Sequence, residues 1–102
     1  MTGVFYFVWL ENGAKLYHYQ DTAGGEIDAV IETEDGNWSA FEIKLGANKI
    51  DEAAEQLIKI SKKAQNSENK PPKSLCVICG VCNAAYRRPD AVYVVPITAL
   101  KN

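Results

Sequence analysis

The apolar and polar positions of the chain fall into short strand-like runs, one long helical run, and then strand-like runs again. Val4 to Leu10 is an apolar and aromatic opening stretch. Residues 15–20 alternate as a strand does. Asp21 to Gly25 predicts a turn, because two adjacent glycines permit positive φ at no steric cost. Residues 26–33 alternate charged and apolar as far as Val30 and continue through the strand formers Ile31 and Thr33. Asp35-Gly36 is a hairpin signal, and residues 38–45 form the returning strand. Its alternation sets Phe41, Ile43 and Leu45 on one face and Ala40, Glu42 and Lys44 on the other.

Gly46 breaks that strand, and Asn48 is placed to cap a helix. Ile50, Ala53, Ala54, Leu57, Ile60, Ser61 and Ala64 recur at helical spacing, which predicts that helix over 48–65. Asp51 and Glu52 fall in its first turn and Lys62 and Lys63 in its last, as the helix dipole favours. Residues 66–74 read as a polar, proline-bearing connection. Residues 75–81 predict a fully buried strand, parallel to 38–45 because a helix separates the two. Residues 91–96 predict a last strand. The expected fold is therefore α/β: a mixed sheet opened by an antiparallel meander, one main crossover helix, and a parallel strand. The opening aromatic run is expected to pack on this sheet or to pair with another copy of the chain, since left exposed it would be an interface-sized apolar patch.

With 102 residues, 47% apolar and 24% charged, the chain reads as one globular domain over 1–102. The formal net charge of −2 provides no whole-molecule attraction to nucleic acid, so any DNA contact has to be local. The candidates are Lys59, Lys62 and Lys63, then Lys70 and Lys73, then Arg87 and Arg88. The opening run falls far short of the ~20 residues that span a bilayer, and it lacks the basic flank and cleavage site of an export signal. No membrane partner is expected; a cytoplasmic protein with reduced cysteines is. No P-loop motif occurs, so no ATP site is expected in this chain.

Chemistry concentrates in Glu26, Asp28, Glu42 and Lys44. Two neighbouring carboxylates can hold Mg²⁺ or Mn²⁺ through oxygen, and a lysine beside them can stabilise charge developing on a phosphate. Register decides whether they meet. A two-residue turn at Asp35-Gly36 would set Asp28 opposite Ile43 and turn Asp28 and Glu42 to opposite faces. A three-residue loop, Glu34-Asp35-Gly36 with Gly36 in the left-handed region, sets Asp28 opposite Glu42 and Glu26 opposite Lys44. The longer loop is the expectation. The alternative to a site is an exposed strand face with cross-strand acid–lysine pairs.

The stretch Tyr17 to Lys44 resembles a domain of unknown function found at the C-terminus of prokaryotic AAA-type ATP-binding proteins. The shared order is an aromatic strand, the triplet Glu26-Ile27-Asp28, a hairpin, and the triplet Glu42-Ile43-Lys44. Asp51-Glu52-Ala53-Ala54 on the helix and Tyr86-Arg87-Arg88-Pro89-Asp90 leading into Val92 to Pro96 extend the likeness from about residue 15 onward. That family looks like a branch of the PD-(D/E)XK, restriction-endonuclease-like superfamily. The resemblance implies Asp28 and Glu42 as metal carboxylates, Lys44 as catalytic lysine, Glu26 as a further acid, and Gln56 near the site. The superfamily's first helix and the ATPase module upstream have no counterpart in the few residues before Lys15, where Glu11 is the sole candidate acid.

Cys76, Cys79 and Cys82 have the spacing of an iron–sulfur run but no fourth cysteine comes after them, and their apolar strand reads as holding buried thiols. His18, between two tyrosines, reads as structural. Two functions are compatible with these features. One is a nuclease-like module that serves an AAA-type ATP-binding protein by recognition or assembly and keeps a vestigial metal site. The alternative is a Mg²⁺- or Mn²⁺-dependent nuclease acting on DNA phosphodiesters.

Overall fold

The computed structural model describes residues 3–9, 13–20, 24–65 and 70–100. Seven strands make one mixed sheet: β1 (Gly3–Trp9), β2 (Lys15–Gln20), β3 (Glu26–Glu32), β4 (Trp38–Lys44), β5 (Ser74–Cys79), β6 (Tyr86–Arg87) and β7 (Val92–Pro96). Their spatial order is β1-β2-β3-β4-β5-β7-β6. The first four form an antiparallel meander; β4, β5 and β7 run parallel, and β6 closes the far edge antiparallel to β7. Helix α1 (Ile50–Gln65) crosses from β4 to β5 and lies against both. The expected mixed α/β sheet, meander, crossover helix and parallel strand are all present.

The core lies between α1 and the sheet. Ala53, Ala54, Leu57 and Ile60 project from the helix onto Ile27, Val30, Ala40, Val77, Cys79, Val92 and Val94, all buried. These sequence positions show why: the helical stripe repeats every three to four residues, while β5 and β7 contribute alternate residues.

Four expectations change. The opening run does not lie on the sheet face: as β1 it pairs with β2 and extends the meander as its end strand. Leu10 and Glu11 lie outside the described residues. Asn48 does not cap α1; Ala47–Lys49 form a 3₁₀ turn, with the Lys49 amide donating to the Gly46 carbonyl at 3.2 Å, and α1 begins at Ile50. The buried strand expected to 81 ends at Cys79, because the Gly80 amide bonds to the Lys44 carbonyl and the chain bends away, leaving Val81 62% exposed. A two-residue strand, β6, precedes β7.

The β3–β4 hairpin adopts the three-residue loop. Ala29 pairs with Phe41, Val30 with Ala40, Ile31 with Ser39 and Glu32 with Trp38. The Thr33 amide donates to the Asn37 carbonyl at 2.8 Å and the Gly36 amide to the Thr33 carbonyl at 3.0 Å. Gly36 takes φ 87°, the left-handed conformation that only glycine adopts without cost. On the other side of β3 the register slips: Tyr17 pairs with Val30, but Tyr19 pairs with Ile27. Asp28 and Ala29 together face one residue of β2, a β-bulge. The bulge brings Ile27 and Val30, three residues apart, onto the same buried face.

Candidate functional site

The β3–β4 ladder stops at Ala29–Phe41, one step short of the Asp28–Glu42 pairing expected from the loop. The bulge is the cause, since it carries the β3 backbone out of register with β4. Side chains replace the missing ladder bonds. Glu42 Oε1 accepts from the Asp28 amide at 2.9 Å, and Asp28 Oδ2 accepts from the Ile43 amide at 2.9 Å. Each carboxylate thus satisfies a backbone donor of the opposite strand, which an open ladder would otherwise leave unpaired.

The remaining predicted residues gather around this crossing. Lys44 Nζ lies 3.9 Å from Glu42 Oε2. Gln56, on α1, donates from Nε2 to the Glu26 carbonyl at 2.9 Å and ties the helix to the start of β3. Glu26 itself is exposed, is not paired with Lys44, and makes its contact with Gln56 through the backbone. A cavity of about 340 Å³ adjoins, lined by Lys44, Glu52, Ala53, Glu55, Gln56 and Lys59.

Electrostatics follow from burial. Glu42 is only 3% exposed, and this burial pushes its carboxyl above the ordinary glutamate range. The negative charges of Asp28 and Glu26 add to the push, while the Asp28 amide and the Lys44 ammonium oppose it. The Lys44 side chain, 37% exposed, reaches the cavity while staying beside Glu42. The arrangement can present one ammonium, that of Lys44, to an anion in the cavity. Each carboxylate already spends an oxygen on a backbone amide. Among the described residues no group of three or more His, Cys, Asp or Glu side chains is arranged to hold a metal ion.

Other candidates are distributed elsewhere. Arg88 is taken up by Asp90, with contacts of 3.1 and 3.2 Å, and by Asp51 at the start of α1. It clamps the β6–β7 turn to the helix and is not displayed for a ligand. Arg87 stacks over Tyr93, 6.0 Å from the ring centre. Lys70 donates from Nζ to the Asp35 carbonyl at 2.7 Å, bracing the hairpin loop. Lys59, Lys62, Lys63 and Lys73 are exposed. Cys76 and Cys79 are buried as expected, Cys82 partly so, and His18 is half-buried in β2.

Two features had no part in the expected site. The lining of the cavity by Glu52, Glu55 and Lys59 was legible only as a polar helix face, since helical spacing alone does not say which strand end the face adjoins. Leu45, Val81 and Ile97 stand exposed just beyond the C-terminal ends of β4, β5 and β7. Because Lys44, Cys79 and Pro96 are in register, Leu45 and Ile97 follow at the same end of the parallel strands, and Val81 lies in the bend after β5. The signal was an apolar residue after each strand, which reads in sequence as one more strand position.

No curated protein and no solved structure matches the chain. A family model does: the domain of unknown function DUF4143 covers residues 6–100. With nearly the whole length matched, and with the bulged hairpin and crossover helix inside the matched span, the chain belongs to the DUF4143 family.

Proposed function

We propose that this domain is a restriction-endonuclease-like module that works by recognition or assembly within an AAA-type ATP-binding protein, with a vestigial metal site at Asp28 and Glu42. The observation that carries the reading is the apolar rim of Leu45, Val81 and Ile97 at the C-terminal edge of the parallel strands. Leu45 is 74% exposed and Ile97 46%, and apolar residues left in water at one end of the sheet favour a surface that meets a partner. The carboxylates support the non-catalytic part. Asp28 and Glu42 stitch together strands that the bulge has parted, and Glu42 is buried with a carboxyl that burial biases toward the neutral form. A divalent cation bound there would have to compete with two backbone amides and with the Lys44 ammonium. The residues present therefore fit a structural crossing better than a Mg²⁺ or Mn²⁺ site.

The resemblance to C-terminal domains of AAA-type ATP-binding proteins supports such a module as the partner. Co-expression with a separately tagged AAA-type ATP-binding module tests it. Wild-type domain is expected to co-purify, and Leu45→Asp/Ile97→Asp to lose association at least tenfold while keeping its circular dichroism spectrum. Equal retention of the double variant, or no wild-type association, contradicts the assembly reading.

The gathering of Asp28, Glu42, Lys44 and Gln56 at one strand crossing favours a second reading, Mg²⁺- or Mn²⁺-dependent cleavage of DNA. Lys44 would then hold the phosphate and Gln56 would orient the β3 end. Nicking of DNA that disappears in Lys44→Ala would select it.

A further inference from the structure

Among the described residues α1 is the only α-helix, and it covers one face of the sheet. Strand pairing places Leu16 and Ile31 in one row of the opposite face, and Phe41, Cys76 and Tyr93 in the next. Ile43, Ile78 and Val95 make a third row. Val30, Ala40, Val77 and Val94, which alternate with these residues along the same strands, are buried under the helix. On the open face Ile43 is 49% exposed and Tyr93 44%, and the others except Cys76 are half-buried. Charge keeps to the margins: Arg87 at the β6 edge, stacked over Tyr93, Glu26 at the start of β3, and Asp28 in the bulge, held by the Ile43 amide. An uncharged apolar surface spread over five adjacent strands is an interface left uncovered.

We propose that two copies of this chain pack through these faces, sheet on sheet about a two-fold axis. Width selects the occupant. The strands from β1 to β7, in spatial order, span about 29 Å at a spacing of ~4.8 Å. A single helix, about 10 Å across, would cover only about a third of that width, whereas a second sheet of the same width covers it all. A second copy supplies such a sheet, with the same apolar rows and no charge in their middle to oppose it. Area sets the strength. With strands of about six residues at ~3.3 Å each, the footprint is about 600 Å² per copy. Two footprints come to about 1,200 Å², the lower end of specific interfaces, which predicts a dissociation constant on the order of 10 µM. The dimer therefore forms and parts with concentration. The inference rests on the strand faces and stands whether or not Asp28 and Glu42 bind metal or an ATP-binding module docks at the strand ends.

Sedimentation equilibrium of the wild-type chain from about 1 µM to about 1 mM tests the proposal, with iodoacetamide labelling of its cysteines followed by peptide mass over the same range. The mass is expected to rise from monomer to dimer. Cys76, in the middle row of the open face, is expected to label about fivefold more slowly as it does so. Cys82, which packs against the core on the helix side, is expected to keep its rate. Ile31→Lys and Tyr93→Glu, on separate strands, are each expected to weaken association by about tenfold or more with an unchanged circular dichroism spectrum. A chain that is monomeric at every concentration overturns the proposal. So does a dimer in which Cys76 labels at the monomer's rate, the result that pairing through the outer edge of β1 would give, and so does a dimer that both variants leave intact. Should either variant fail to fold, the wild-type mass and the Cys76 rate decide.

Discussion

Ala91 holds φ 73°, in the left-handed region, at the same place in the β6–β7 turn that Gly36 holds in the β3–β4 turn. Both loops show one bonding pattern: the Arg88 amide to the Val92 carbonyl at 2.8 Å, and the Ala91 amide to the Arg88 carbonyl at 3.0 Å, as at Thr33 and Gly36. A Cβ in this conformation costs ~1–2 kcal/mol, of which glycine's freer unfolded chain returns part. Ala91→Gly is therefore expected to stabilise the domain by about 0.5–1 kcal/mol, and Gly36→Ala to destabilise it by about 1 kcal/mol, in urea unfolding. Glu42 supplies a pH prediction. Burial, with the Asp28 and Glu26 charges, raises its folded pKa above the ordinary 4.5, so the folded state holds the proton more tightly than the unfolded chain. The stability it contributes is full below that ordinary value and is lost as pH rises through the raised one. Glu42→Gln keeps an oxygen for the Asp28 amide and removes the buried charge. It is expected to match or exceed wild-type stability at neutral pH, with that relative advantage fading in acid. Much of this was legible in sequence: Glu42 and Lys44 on one face follow from alternation alone. Ala91 was not, because an alanine gives no sign that its backbone must turn left-handed.

At the scale of elements, the Glu34-Asp35-Gly36 loop sets the hairpin register, and that register was readable from the requirement that Asp28 and Glu42 share a face. The bulge was missed. Its trace was the spacing of Ile27 and Val30, since two core residues three apart on a strand can share a face only if the strand is bulged. That omission is also why the site was expected as a continued ladder rather than as carboxylates capping parted strands. The Arg88 clamp was hidden for a different reason: Asp51 lies 37 positions away, and its acid at a helix start was fully accounted for by the dipole. Arg88→Ala is expected to cost about 1 kcal/mol, because Asp51 is mostly in solvent, which screens its share of the pair. Arg88→Lys, which cannot fork between two carboxylates, is expected to recover less than half of that loss in thermal or urea unfolding. Leu57, fully buried at the centre of α1, is expected to cost about 2–5 kcal/mol as Leu57→Ala.

The whole molecule is one sheet with α1 lying on β4 and β5, and among the described residues no other α-helix covers it. Fold class, the meander of β2 to β4, the crossover and the parallel β5 were legible because the change from period two to period 3.6 and back is strong in this chain. The apolar rim and the edge position of β1 were not, since pattern reports which residues are apolar and not what remains to cover them. Two properties of the molecule point the same way: apolar side chains left in water at one end of the sheet, and carboxylates turned inward onto their own backbone. On the function proposed above, Asp28 and Glu42 hold strands together instead of holding a metal. Calorimetric titration of the domain with MnCl₂, run beside a nicking assay on supercoiled DNA, decides between the two roles. No saturable heat is expected, and no cleavage above the level of Lys44→Ala. A saturable Mn²⁺ isotherm abolished by Asp28→Asn, together with cleavage that needs Lys44, would contradict that function.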